Sequence, residues 1–390
     1  MAVNDLTFNQ LATVLTSITN QATGAAVLTP TNTAEFITVG QTALKAGYDP
    51  LLNAISQVMS RTVFSIRPYE AKFRGLAYDE QRWGNIVRKL QIADSPWEED
   101  DRLKLIDGQS VDMYVVKKPS VLQTNYYGAN VYQRHYTIFK DQLDSAFTGP
   151  DQFGSFLSMV TSNAQDQIEQ ARESIARTII ANFIGGKISG DTGNVIHLVT
   201  EYNAAAGTNL TSQTVKQPAN WPNFVKWMAA RVETLSDYMT ERTQKYHINV
   251  TGKAISRHTP KSRQKVYLYN PRVNEIDSEV RSGVFHNEFL RLVDFEGVNY
   301  WQAIDTPENI SVTPIYLQAD GTLTSPDSAV TQANIFGLMF DEEAMGYTIG
   351  STWSAPTPFN ARGGYSNVWY HFTGRYFNDF TENGIVLLLD

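Results

Sequence analysis

The sequence predicts an α+β fold built around one long helix. Three observations carry that expectation. Residues 151–184 place Phe153, Phe156, Leu157, Val160, Ala164, Ile168, Ala171, Ile175, Ile179 and Phe183 at steps of three and four, the helical period. Residues 64–135 interleave apolar and charged side chains in two extended runs. Residues 368–389 carry aromatic and apolar runs that read as strands.

Taken in order, the first 50 residues do not look able to fold alone. Leu6, Leu11, Val14, Leu15 and Ile18 fit a short helix, but Ala22 to Thr33 is small and polar and buries little. This segment is expected to be an arm, either disordered or ordered by a partner. Leu51 to Val63 reads as a helix, with Leu51, Leu52, Ile55, Val58 and Met59 on one face. The runs in 64–135 read as a long two-stranded excursion, with the acidic Glu98–Asp101 and the Asp107–Gly108 turn midway. A lone two-stranded ribbon is marginal in water, so it is expected to pack on another molecule.

Pro150 precedes the long helix, where its missing N–H costs nothing. Gly185 and Gly186 are expected to end it. At 1.5 Å per residue it spans roughly 50 Å, a structural spine rather than an ordinary three-turn helix. Residues 190–360 read as an α+β domain. Trp221–Tyr238 is a helix, Val266–Tyr269 a strand ended by Asn270–Pro271, and Ile335–Phe340 a short apolar strand. Asp320–Gly321 predicts a type I′ hairpin turn. In Val368–Phe380 aromatics fall on both faces, so both faces are expected to be covered. Asn383–Gly384 turns the chain into a final buried strand, Ile385–Leu389. No internal repeat is present.

The 390 residues allow two or three domains, and 42% hydrophobic with 18% charged residues is a globular composition. A net charge of -8 argues against nucleic-acid binding by the whole surface, leaving room for a local basic patch. With no cysteine, disulfides, thiolate chemistry and cysteine–zinc sites are excluded. The Met-Ala-Val-Asn-Asp start lacks the basic and apolar regions of a signal peptide, and no apolar run spans a bilayer.

No residue pattern points to catalysis, a cofactor or a metal. Glu98–Asp101 lacks the spacing and glycine of a calcium loop. Asp341, Glu342 and Glu343 follow an apolar strand, where acids commonly open a helix. A carboxylate-based hydrolase using that trio is a rival reading. The six histidines, His135, His197, His247, His258, His286 and His371, show no zinc-helix spacing. His371 reads as a packed strand residue. Nucleophile elbows and glycine-rich phosphate loops are absent from the sequence. One basic run stands out: Arg242, Lys245, Lys253, Arg257, Lys261, Arg263 and Lys265. It is either a solvated surface loop or a contact for an acidic neighbour or nucleic-acid phosphate.

The order of parts, with Phe336–Ala344, Pro358–Tyr365 and Asn378–Gly384 as local matches, resembles the major capsid proteins of tailed bacteriophages, with the Hong Kong 97-type fold. The resemblance implies an N-terminal arm (1–50) and an extended loop (64–135) lying across a neighbouring subunit. It implies an axial domain (196–361) and a peripheral domain from 51–63, 136–195 and 362–390 containing the spine helix. The implied function is self-assembly into the icosahedral head shell enclosing the genome. Implied partners are copies of itself as hexamers and pentamers, a portal at one vertex and packaged double-stranded DNA on the inner face, with no membrane. The short arm before Leu51 leaves little room for a cleaved scaffolding segment, so a separate scaffold protein is expected. The protein is expected in the virion, made in the bacterial host cytoplasm. Some members cross-link through Lys and Asn, and no positions here match those. Arg74, Arg82, Trp83, Arg88 and Lys89 are the candidate intersubunit contacts, because Arg and Trp dominate contact energetics. Rival readings are a tail or decoration component, the hydrolase above, and a nucleic-acid binder acting through the basic run.

Overall fold

The computed structural model describes residues 7–61, 71–78, 86–95, 97–127, 130–283 and 294–390. In chain order the helices are α1 (Phe8–Thr23), α2 (Thr33–Lys45), α3 (Tyr48–Arg61), α4 (Lys140–Ala146), α5 (Pro150–Gly190), α6 (Leu198–Ala206), α7 (Trp221–Thr240) and α8 (Asn270–Gly283). The first strands are β1 (Ile86–Ile92), β2 (Val121–Tyr127), β3 (Asn130–Phe139), β4 (Val195–His197), β5 (Gln264–Tyr269) and β6 (Glu296–Val298). Then come the short β7 (Ile310–Val312), β8 (Tyr316–Leu317), β9 (Leu323–Thr324) and β10 (Val330–Gln332). Last are β11 (Ile335–Asp341), β12 (Met345–Pro356), β13 (Tyr365–Asn378) and β14 (Gly384–Leu388). The chain forms two compact units, one of residues 1–83, 129–175 and 347–375, the other of 84–128, 176–346 and 376–390.

In the first unit the N-terminal residues are not a bare arm. The small-residue run is only the connection between α1 and α2. Gly24 closes α1 in the left-handed conformation (φ 69°), and the Asn32 side chain accepts from the Glu35 amide at 2.9 Å to open α2. Leu11, Leu15 and Ile18 of α1, Phe36 and Val39 of α2, and Leu52 and Ile55 of α3 share one core with Phe153 and Leu157 of α5. The apolar faces on either side of the loop thus find their cover within the chain. A three-stranded sheet, β12-β13-β3, adds Val368 and Ile138 to the same core.

The spine helix is 41 residues long and runs straight through Gly185 and Gly186. These glycines serve close packing instead of termination. A Cβ on Gly185 would lie 2.7 Å from Val312 Cγ1, and one on Gly186 would lie 2.6 Å from Phe380 Cε1. Both values are too short for a real methyl contact, so the helix surface is flat there by necessity.

The second unit is built on a five-stranded sheet in the order β4-β14-β11-β5-β6. Every residue of β11 and β14 is buried. Phe224, Met228 and Val232 of α7 pack on Phe336, Met339, Ile385 and Leu387. Three local expectations change here. Asn270 and Pro271 do end β5, but they also begin α8, with Pro271 in the first turn where it is tolerated. Asp341–Glu343 forms the β11–β12 turn, not a helix start, because Asp341 Oδ1 accepts the Glu343 amide at 2.9 Å. The β8–β9 hairpin exists, but only Gly321 (φ 86°) is left-handed, and Asp320 instead accepts the Thr322 amide at 2.8 Å. A type I′ turn needs two left-handed residues, so this loop is wider.

Gly186→Ala is expected to destabilise by about 1–3 kcal/mol through overpacking against Phe380. Gly193, with nothing within 4 Å of an added Cβ, is the matched control. Thermal unfolding should show a fall of several degrees for the first and no loss for the second.

Candidate assembly interface

Strands β1 and β2 pair antiparallel from Ile86↔Tyr127 to Ile92↔Val121 and form the stem of a ribbon. Strand alternation sends Arg88, Leu90 and Ile92 outward, while Lys89 and Gln91 turn inward. Lys89 Nζ donates to Asp379 Oδ2 at 2.8 Å and to Glu382 Oε1 at 2.5 Å, with Glu343 at 3.5 Å. Arg257 reaches the same Glu382 oxygen at 3.1 Å, and its Nε donates to the Thr381 carbonyl at 3.1 Å. Asp379 is 2% exposed and also accepts from the Thr381 amide and hydroxyl. The Tyr126 ring lies 5.2 Å from that of Phe377.

Burial alone would lower Lys89, but Asp379 and Glu382 outweigh it and hold the ammonium above the usual lysine range. Burial pushes Asp379 up, and Lys89 more than reverses this, leaving it below the usual aspartate range. For Glu382 burial prevails over Lys89 and Arg257, so its carboxyl sits above the ordinary value. A second tie holds the ribbon where β1 ends. Asp94 meets Arg242 at 2.5 Å and accepts the Ser256 amide at 2.7 Å, and its own amide donates to the Ala254 carbonyl at 2.9 Å. Lys253 donates to Ser120 at 2.6 Å.

These contacts reassign the basic run. Arg242, Lys253 and Arg257 hold the ribbon and the turn at 379–383. Lys261 pairs with Glu233 and Asp237 at 2.9 and 2.7 Å, and Arg263 with Glu342 and Glu343 at 2.5 and 2.6 Å. Lys245 lies 5.5 Å from the Tyr246 ring, and Lys265 is half-buried in β5 opposite Phe340. The acidic neighbours of this run are therefore largely within the chain itself. The hydrolase trio is consumed the same way. Asp341 accepts from Thr259 at 2.8 Å, and burial of Glu343 is outweighed by Arg263 and Lys89, which hold it low, the reverse of a general acid.

Of the five candidate contacts, Arg88 is exposed on the outer face of the ribbon and Lys89 is committed internally. Arg74 lies 3.7 Å from Glu169 in the first unit, and Arg82 and Trp83 lie outside the described residues. Sequence reasoning missed the apolar tip. Trp97 is 100% exposed, and Leu103, Ile106, Met113, Tyr114 and Val116 stand almost as open. Their signal was apolar residues scattered between the acids of an otherwise polar stretch. The acids themselves are paired: Glu98 with Lys117, Glu99 with Lys104 and Asp100 with Arg102. Among the described residues no group of three or more His, Cys, Asp or Glu is arranged for a metal ion. These apolar side chains stand exposed beyond a stem clamped by buried charge.

The sequence model of the Phi29-like phage major capsid protein family matches residues 12–388. The chain belongs to that family. No curated protein sequence matches it. Among solved structures, this capsid protein is similar to a chain in the capsid structure of Staphylococcus phage Andhra, at 12% identity and a TM-score of 0.51, over 84% of this chain and 86% of that one. A chain in the structure of head fiber and inner core protein gp22 of native bacteriophage P68 is similar at 12% identity, TM-score 0.53, over 84% and 87%. The fold is of the Hong Kong 97 type, and the protein is a capsid shell protein of a tailed phage, not a tail or decoration component.

Lys89→Met is expected to lower stability by about 3–5 kcal/mol, because Asp379 and Glu382 stay buried without their cation. The gap from wild type should be widest near neutral pH in urea titrations. It narrows as pH rises through the elevated Lys89 value, and again as acid protonates Asp379 below the usual aspartate range. Lys89 also lowers Glu382 against its burial, so removing the cation raises that carboxyl further and its protonation in acid narrows the gap in the same sense.

Proposed function

We propose that this capsid protein builds the icosahedral head from hexamers and pentamers, laying its ribbon across a neighbouring copy, and performs no catalysis. The observation that carries the reading is the apolar tip left uncovered on a firmly anchored stem, in a chain whose family forms phage shells. Such a tip is unfavourable in a solitary chain and becomes favourable when many copies close with symmetry.

The assigned roles follow the layout. The axial domain is 196–361, and the peripheral domain comprises 51–63, 136–195 and 362–390. Residues 64–135 form the intersubunit loop, and residues 1–50 the N-terminal segment. The partners are a scaffold protein during assembly, a portal at one vertex and double-stranded DNA on the inner face. Synthesis takes place in the host cytoplasm. Among the described residues no helix is long and apolar enough to cross a membrane. Arg88, exposed on the stem, is retained as an intersubunit contact, and Arg74 as a second. Lys89 acts through the ribbon that it holds.

Electron microscopy of the protein, alone and with a co-expressed scaffold, tests the reading. The wild type should give closed shells, or rings of five and six. Replacing residues 97–116 by a short Gly–Ser turn should leave a folded chain with an unchanged melting temperature that forms no shells. Normal shells from that variant would refute the role given to the ribbon.

A further inference from the structure

His247 stands between the two ties that hold the ribbon. It is 4% exposed, and both of its ring nitrogens face oxygen. Nε2 lies 2.7 Å from the Ile255 carbonyl oxygen, and Nδ1 lies 3.2 Å from Asn383 Oδ1. Ile255 sits between Ala254 and Ser256, the two residues that hold Asp94. Asn383 follows Glu382, which holds Lys89. The backbone beside the ring fastens the same turn. The Gly384 amide donates to the Tyr246 carbonyl at 2.8 Å, and the Ile248 amide donates to the Phe380 carbonyl at 2.9 Å.

Beyond the ring the hydrogen bonds run in one direction. The Thr259 hydroxyl donates to Asp341 Oδ2 at 2.8 Å, so its oxygen is left to accept the Asn383 amide nitrogen at 3.1 Å. That aims Asn383 Oδ1 at His247. A neutral imidazole carries one N–H and can serve only one of two oxygen partners, whereas the imidazolium serves both. A neutral ring that donates to Ile255 sets its Nδ1 lone pair against Oδ1 unless the Asn383 amide turns over. The turned amide takes the Thr259 proton and draws that hydroxyl away from Asp341. All four side chains are buried, so bulk water does not replace a lost partner.

The surrounding charge opposes protonation of the ring. Lys187 of α5 and Arg257 of its own segment face it as cations. The carboxylates around it are engaged: Asp379 and Glu382 with Lys89, Asp191 with Lys187, and Asp341 with Thr259. Burial, helped by the two cations, keeps His247 below the usual histidine range against the pull of its two acceptors.

We propose that His247 is a proton-sensitive latch on the ribbon, whose protonation reverses the hydrogen bonds through Asn383 and Thr259 to Asp341 and loosens both ties. Taking up the proton completes the Nδ1 bond but puts a further charge beside Lys187 and Arg257. The folded chain binds this proton less readily than the unfolded chain. The stability that the neutral ring contributes is therefore complete above the ordinary histidine range and is lost as pH falls through the lower folded value. Asp94, held low by Ser256, and Asp379, low despite its burial, stay ionised through that interval.

Amide hydrogen exchange of the full, unassembled chain, read by mass spectrometry, tests the latch without depending on shell formation. Between about pH 7.5 and about pH 5, protection of β1, β2 and residues 379–384 is expected to fall several-fold beyond the chemical pH dependence of exchange. Helix α1 serves as the internal reference. In His247→Gln, whose amide can still donate to Ile255 but takes up no proton, the protection should stay level. His247→Asn gives the same comparison if the glutamine variant does not fold. Both variants keep Glu382 and Lys187, the other buried groups whose titration is displaced. Thr259→Val, which cuts Asn383 off from Asp341, should move the midpoint of the step, and Thr259→Ser should restore it. A level profile in the wild type would overturn the latch. An equal fall in the His247 variants would overturn it too and assign the step to Glu382 or Lys187. An unmoved midpoint in Thr259→Val would overturn the path to Asp341.

Discussion

Two carboxylates buried in one tight turn set the arrangement of the second unit. Asp379 and Glu382 cannot keep their charge away from water unless cations are brought to them. Lys89 comes from the ribbon and Arg257 from the basic run, so both segments are fixed at the point where β14 begins. The same turn holds Asn383, which is fully buried, donates to Thr259 at 3.1 Å and lies 3.2 Å from the ring nitrogen of His247. Two parts of the chain, the ribbon at Lys89 and the run from His247 to Thr259, therefore meet the demands of Asp379, Glu382 and Asn383. An apolar turn could pack as well, but it would give the ribbon no defined direction.

Beyond that turn, the ribbon tip leaves Trp97, Leu103, Met113 and Val116 open. A solitary globular protein rarely gathers such side chains in an extensive exposed patch. In the shell reading proposed above they are the part of the hydrophobic effect held back for association. The interior is closed in the ordinary way, with β11 and β14 wholly buried, so exposure is confined to particular elements and is not a sign of a loose fold.

Much of this was legible in the sequence, because periodicity reports which side of an element is apolar. The spine helix, α7, β11 and the C-terminal strands all announced themselves that way. What failed had a common cause. Gly185 and Gly186 look like stop signals until Phe380 and Val312 are seen against them, and a contact from far along the chain is invisible to local pattern. Asp341 looked like the start of a helix until its oxygen was seen folding the next amides into a turn. Lys89 read as a surface cation because its partners lie at Asp379 and Glu382. The N-terminal helices were underrated because their cover, Phe153 and Leu157, lies beyond the ribbon. The fold class needed only local information, whereas the site needed the turn at 379–383 to be in place.

The position of β14 has a further consequence, for the order in which the second unit closes. The strand sits inside its sheet, antiparallel to β11 on one side and parallel to β4 on the other. The carboxylates that fix the ribbon precede it by only a few residues. Until β14 has docked, β4 has no partner in the sheet, the ribbon has no carboxylate turn to grip, and α5 lacks Phe380 against Gly186. Non-local strand pairing of this kind completes late. Anchoring of the ribbon is thereby coupled to closure of the sheet: a chain whose core is unfinished also has no oriented ribbon.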